Sequence, residues 1–90
     1  MIIQFPPRQG VYTPNTTVSF PATIDGTDVA CEISTEALID HFGAISIRAA
    51  DLIAAFEQHR QAIEAVARRV IPHRIVVGGR CLLISSDFPR

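Results

Sequence analysis

The stretch Val18–Ile33, "VSFPATIDGTDVACEI", decides the fold. Asp25-Gly26 separates two runs in which apolar and polar residues alternate. A two-residue type I′ turn needs positive φ at both central positions, which Asp and Gly tolerate. With Ile24 opposite Thr27, one side of the ribbon pairs Ala22 with Val29, Phe20 with Cys31 and Val18 with Ile33. The other side pairs Thr23 with Asp28 and Ser19 with Glu32. Opposed residues share a face, so the pattern predicts a hairpin with one apolar side against a core. Pro21 lies on the polar side and has no N–H, which places its strand at a sheet edge or at a bulge.

Downstream, Ser34 is an N-cap for a short helix over Thr35 to Phe42, with Glu36 in the first turn and Gly43 as its left-handed stop. Leu38 and Phe42, one turn apart, face inward. A longer helix is predicted from Ile47 to Ile71, capped by Ser46 and stopped by Pro72. At 100° per residue, Ala49, Leu52, Phe56, Ile63, Val66, Ala67 and Val70 fall on one arc, and Glu57, Gln61, Glu64 and Arg68 lie opposite. The ending "HRIVVGGRCLLIS" reads as a second hairpin turning at Gly78 and Gly79. Its register stays open: a Gly bulge puts Ile75, Cys81 and Leu83 on one face, whereas a strict two-residue loop pairs Val76 with Cys81.

Upstream, Pro6, Pro7, Gly10 and Pro14 make residues 1–17 an irregular arm, with Ile2 to Phe5 a short edge strand. The whole reads as an α+β fold in a single domain over residues 1–90. The expected architecture is a two-layer one, with an antiparallel sheet of about four strands covered on one face by two helices in the order ββααββ.

Composition agrees with a folded domain. The 90 residues are 48% hydrophobic and 19% charged, too apolar for a disordered chain. No apolar run approaches the roughly 20 residues that span a bilayer, so no membrane association is expected. The start "MIIQFPPRQG" lacks a basic leader followed by a longer apolar segment, and the expected location is cytoplasmic. Cys31 and Cys81 are then free thiols rather than a disulfide. The net charge of -1 is unevenly spread: Arg8 against five acids leaves residues 1–40 at -4, and the remainder carries +3. All eight basic residues are Arg. Arg suits phosphate and carboxylate recognition, although Arg and Ala together also follow genomic base composition.

The segments "FPATIDGTDVACEISTEALIDHFG", "FEQHRQAIEAVA" and "LLISSDF" resemble a family of small bacterial proteins known as domain of unknown function 1488. The likeness runs from Val18 to Phe88 and is most specific at Asp25-Gly26, Cys31-Glu32-Ile33-Ser34, His41-Phe42-Gly43, and Arg60 with Ile63-Glu64. Members often carry a Trp in the N-terminal arm, where this chain has Tyr12. The resemblance implies a compact α+β domain and supplies no activity.

Two residues of the long helix stand out. His59 falls near the centre of the apolar arc with no acid on its own helix in reach, and a buried imidazole needs a partner; Asp40, Asp87 and Cys31 are the candidates. A structural hydrogen bond is its plain explanation and a functional role the sharper one. Arg60 lies toward the edge of the arc with Glu57 and Glu64 one turn away on either side, so its head pairs locally while its stem covers apolar surface.

The remaining chemistry is thin. Cys31, Cys81, His41, His59 and His73 contain no closely spaced ligand pair of the kind structural zinc sites use, so no metal and no cofactor is expected. Ser85, Ser86 and Asp87 lack a nucleophile elbow, and Val77 to Arg80 lacks the glycines and following helix of a phosphate loop. No enzyme is expected. Arg68, Arg69, Arg74 and Arg80 could gather into a basic patch, without interleaved aromatics for stacking on bases. The leading expectation is a non-catalytic protein-interaction or regulatory module that self-associates or docks on a protein partner through its strand edges. The alternative is a weak nucleic-acid-binding protein that uses those four arginines.

Overall fold

The computed structural model describes residues 1–74 and 79–89. Strands β1 (Ile3–Gln4), β2 (Val11–Tyr12), β3 (Thr17–Ile24) and β4 (Thr27–Ser34) come first. They are followed by helices α1 (Thr35–Phe42), α2 (Ala49–Gln58) and α3 (Arg60–Val70), then strand β5 (Arg80–Leu83). Single 3-10 turns lie at Ile71–His73 and Ser85–Asp87.

The hairpin has the predicted register throughout: Ile24 opposes Thr27, Phe20 opposes Cys31 and Val18 opposes Ile33. Its turn carries positive φ at Asp25 (50°) and Gly26 (82°), as a type I′ turn requires. Helix α1 also matches. The Ser34 side chain accepts from the Ala37 N–H, and Gly43 ends the helix at φ 70°.

Among the described residues the fold is α+β with a mostly antiparallel five-stranded sheet and three helices, which refines the sequence expectation in four places. First, the arm is less irregular than expected, because β1 and β2 both pair with β3, opposite residues 23–24 and 18–19. Pro21 sits between those two ladders. The Ala30 N–H is directed to the Gly79 carbonyl, so Pro21 and Ala30 form a non-hydrogen-bonded pair in β3–β4. The position where Pro21 lacks an N–H therefore faces the gap between β1 and β2, and β3 needs neither a bulge nor a free edge.

Second, the long helix is two helices. His59 departs from helical geometry (φ -115°, ψ 21°) and its N–H is shared between the Ala55 and Phe56 carbonyls. Phe56 and Ile63 are seven residues apart, two full turns, so the hydrophobic period runs through the break, and no Gly or Pro marks it. Helix α2 begins at Ala49, later than predicted, because the Ser46 hydroxyl forms a preceding turn, accepting from Arg48 N–H and donating to Asp51.

Third, β5 pairs with β4 in parallel, Cys31 beside Cys81 and Ile33 beside Leu83. Three helices intervene between β4 and β5 and return the chain to the starting end of β4, which is the connection a parallel pair needs. Gly79 is indeed in a turn conformation (φ 73°), but it leads into β5. The other half of the predicted hairpin, Ile75 to Val77, lies outside the described residues. Fourth, the observed order is therefore ββββαααβ.

One face of the sheet and one side of each helix form a single core. Val18, Phe20, Cys31, Ile33 and Leu83 from the strands and Leu38, Leu52, Phe56 and Ile63 from the helices are fully buried. Phe20 and Phe56 join the layers with ring centroids 4.9 Å apart. Each such aliphatic or aromatic side chain contributes about 1.5–3 kcal/mol on burial. Among the described residues, no helix is long and apolar enough to cross a membrane.

Candidate functional site

The last turn of α1 carries Asp40 and His41, and the Gly43 cap holds that turn in place. Beyond β5 the chain stays extended through Ile84 and closes a turn at Ser85, with the Asp87 carboxylate accepting from the Ile84 N–H at 2.8 Å. These two ends meet in an open groove of about 580 Å³ lined by Asp40, His41, Ser85 and Pro89. The structure thus brings together a serine, a histidine and an aspartate that are distant in sequence.

Their wiring differs from that of a serine nucleophile. The Ser85 hydroxyl donates to Asp40 Oδ2 at 2.8 Å, which uses its one proton. His41 Nε2 lies 3.0 Å from the Ser85 carbonyl and 3.2 Å from its Oγ. A carbonyl only accepts, so Nε2 carries the proton and cannot take one from the hydroxyl. In a catalytic triad the histidine accepts from the serine and the acid orients the histidine. Here the acid holds the serine, and the cluster fastens the end of α1 to the segment after β5.

His59 is placed differently from the sequence expectation. It is half-exposed at the break between α2 and α3, with its ring 5.4 Å from that of Phe42. Among the described residues its imidazole has no hydrogen-bond partner, and neither Asp40, Asp87 nor Cys31 serves it. The arc that buried it assumed a continuous helix. Arg60, by contrast, pairs as predicted with Glu57 (3.1 Å) and Glu64 (2.9 Å), and stacks 5.1 Å from the Phe56 ring centre. It also donates to the Pro6 and Arg8 carbonyls, so its guanidinium ties the N-terminal arm to the helices.

The four arginines of the suggested patch are not gathered. Arg68 donates to the Ile3 carbonyl and stacks 5.2 Å from the Phe5 ring centre. Arg74 grips Asp87 with two hydrogen bonds and donates to the Leu82 carbonyl at 2.7 Å. Arg80 pairs with Glu32. Arg69 is exposed and, among the described residues, has no partner.

Two of these contacts close sheet edges. Because Ala30 donates to Gly79, Cys81 and Leu83 face β4 and the peptide groups of Leu82 and Ile84 point outward. Arg74 takes the outward Leu82 carbonyl and Asp87 takes the outward Ile84 N–H. At the other edge, the Asp25 N–H donates to Ile2, which turns the Ile3 carbonyl outward, where Arg68 meets it. Unpaired edge groups invite another strand, and at β1 and β5 side chains meet one or two of them.

Glu32 is the residue that sequence reasoning passed over. It is only 4% exposed, on the sheet face away from the helices. Thr17 Oγ1 donates to it at 2.6 Å and Arg80 Nε donates to its other oxygen. The Arg80 hydrogen bond, with further help from Thr17, holds its carboxyl below the ordinary value despite the opposing effect of burial. The hairpin register alone gives its face, but its main partner depends on where β5 lies. Cys31 and Cys81 are buried free thiols, and burial pushes the Cys31 thiol up to about 12. Among the described residues, no three His, Cys, Asp or Glu side chains cluster closely enough to hold a metal ion.

The sequence model of the family described as "Protein of unknown function (DUF1488)" matches residues 3–77. The chain belongs to that family. The match includes the N-terminal arm, which the sequence resemblance had left out. A crystal structure of a protein of unknown function from the same family, from Shewanella loihica PV-4, is similar over 90% of both chains, with 26% identity and a TM-score of 0.74. No curated protein matches the sequence.

Proposed function

We propose that this family member is a non-catalytic protein-interaction or regulatory module that associates with a second copy of itself through the uncovered face of its sheet. The observation that carries this reading is one rank of residues across that face. Val11 opposes Ser19, Ser19 opposes Glu32 and Glu32 lies beside Leu82. The two apolar ends of the rank are exposed, Val11 at 61% and Leu82 at 45%, and Ile84 beyond is 44% exposed. A groove of about 460 Å³ runs past Leu82 and Ile84 toward Thr17 and Ser34. Arg8 and Asp28, of opposite sign, line a second groove on the same face with Ser19 and Pro21, so a two-fold contact can set one against the other. Two sheets stacked face to face would bury this rank about 10 Å apart. The side chains that meet edge groups at β1 and β5 favour the face over strand addition there.

The wiring of Ser85, Asp40 and His41 supports a non-catalytic role, and free buried thiols suit a reducing compartment such as the cytoplasm. The nucleic-acid alternative is left with Arg69 alone among its four arginines. Sedimentation over a concentration series is the test, on the intact chain and on a double variant, Leu82→Gln with Ile84→Gln. A reversible dimer weakened by the double substitution is expected. A strict monomer, or salt-sensitive binding to RNA or DNA without self-association, would overturn the reading.

A further inference from the structure

We infer that the N-terminal arm, residues 1–12, is an exchangeable element that two copies of the chain trade by opening the turn at residues 13–16; this rests on the self-association proposed above. The arm is seated as a separate peptide would be. Two short ladders hold it to β3, and between them the Glu57 carboxylate accepts the Gly10 N–H at 2.7 Å while Arg60 takes the Pro6 and Arg8 carbonyls. Ile3 is buried, and Phe5 lies 6.2 Å from the Phe20 ring. Gly10 fits so closely that an added Cβ would stand 2.8 Å from both Phe56 and Val18. These seats belong to β3, α2 and α3, so the same arm from a second copy satisfies each of them without any new contact.

The turn supplies the reason to open. Thr13 N–H donates to the Thr17 carbonyl and Thr16 N–H to the Thr13 carbonyl, and this tight return forces Thr16 to φ 59°. A β-branched residue in the left-handed region is strained, and extending the turn relieves it. Pro6 and Pro7 limit the conformations open to a released arm, which lowers the entropy lost when it docks on a partner. Extended, residues 13–16 span at most about 14 Å, so the two copies of β3 must begin within that distance of each other. Exchange of an element between identical chains then gives a closed two-fold dimer.

The experiment compares dimer affinity by sedimentation for the intact chain, for Thr16→Gly, for Thr16→Ala, which trims the same groove-lining side chain but keeps the left-handed strain, and for a variant lacking Asn15 and Thr16. Each dimer opens two turns, so Thr16→Gly, which removes the strain from both closed turns, should weaken the dimer roughly a hundredfold and more than Thr16→Ala does; equal weakening by the two overturns arm exchange. The shortened turn cannot fold back, so that variant should be dimeric at every concentration. Unchanged affinity in Thr16→Gly overturns arm exchange, as does a folded, monomeric deletion variant. If Thr16→Gly has no effect while Leu82→Gln with Ile84→Gln abolishes the dimer, exchange fails and association through the sheet face stands. A strict monomer in the intact chain removes both.

Discussion

Arg74 and Asp87 are joined by two parallel hydrogen bonds of 2.7 and 2.8 Å, and together they meet the outward Leu82 carbonyl and the Ile84 N–H at the edge of β5. The pair meets two of the groups that a further strand would take, with side chains in place of backbone. Replacing Arg74 by Ala should lower stability by about 1 kcal/mol, the pair being partly exposed. It should also open the Leu82 carbonyl to other chains. Urea unfolding reads the first effect, and light scattering at raised concentration the second. A variant as stable and as soluble as the parent would show that the edge needs no cover.

Acid should weaken the fold through two carboxylates. Arg80 holds the Glu32 carboxyl below its ordinary 4.5, and Arg74 holds that of Asp87 below its ordinary 3.8. A depressed folded-state value means the folded chain binds its proton later than the unfolded chain does. The contribution is complete above the ordinary carboxylate range and is lost as pH falls through the folded-state values. Glu32→Gln should therefore cost about 1–3 kcal/mol at neutral pH and less in acid. Urea midpoints from pH 7 to pH 2 check this, and parallel curves for parent and variant would contradict it.

The thiols make the opposite case at high pH. Burial raises Cys31 from 9.0 to about 12 and also raises Cys81. Their contribution to stability is fully present below about 9 and is lost as pH rises toward 12, because the unfolded chain ionises first. Reactive cysteines are exposed thiolates, and these are neither. A chromogenic thiol reagent at neutral pH should find no reactive group in the folded protein and two after denaturation. Rapid reaction of either cysteine in the folded state would contradict their burial.

Arg60 tests the hold on the arm. Its planar fork reaches Glu57, Glu64 and two arm carbonyls at once, which a lysine ammonium cannot do. Arg60→Lys should cost about 1–3 kcal/mol although the charge is kept. Hydrogen exchange should show the largest loss of protection at the Gly10 amide, whose acceptor Glu57 depends on Arg60. Unaltered Gly10 protection would mean that Glu57 holds the Gly10 amide without help from Arg60.

Much of the fold was legible from neighbours in sequence. The hairpin register follows from one Asp-Gly turn and strict alternation, and α1 from a serine at one end and a glycine at the other, because turn dihedrals and helix caps act over a few residues. The site was less so: the pairing of Arg60 with Glu57 and Glu64 is a one-turn relation, whereas the meeting of Asp40, His41 and Ser85 is not. Only the tertiary structure decided the parallel direction of β5, the half-exposed place of His59 and the partners of the arginines. Arg80 reaches Glu32 across 48 residues and Arg68 reaches Ile3 across 65. No local pattern carries such pairings, since they arise only when burial of the core brings separate elements side by side.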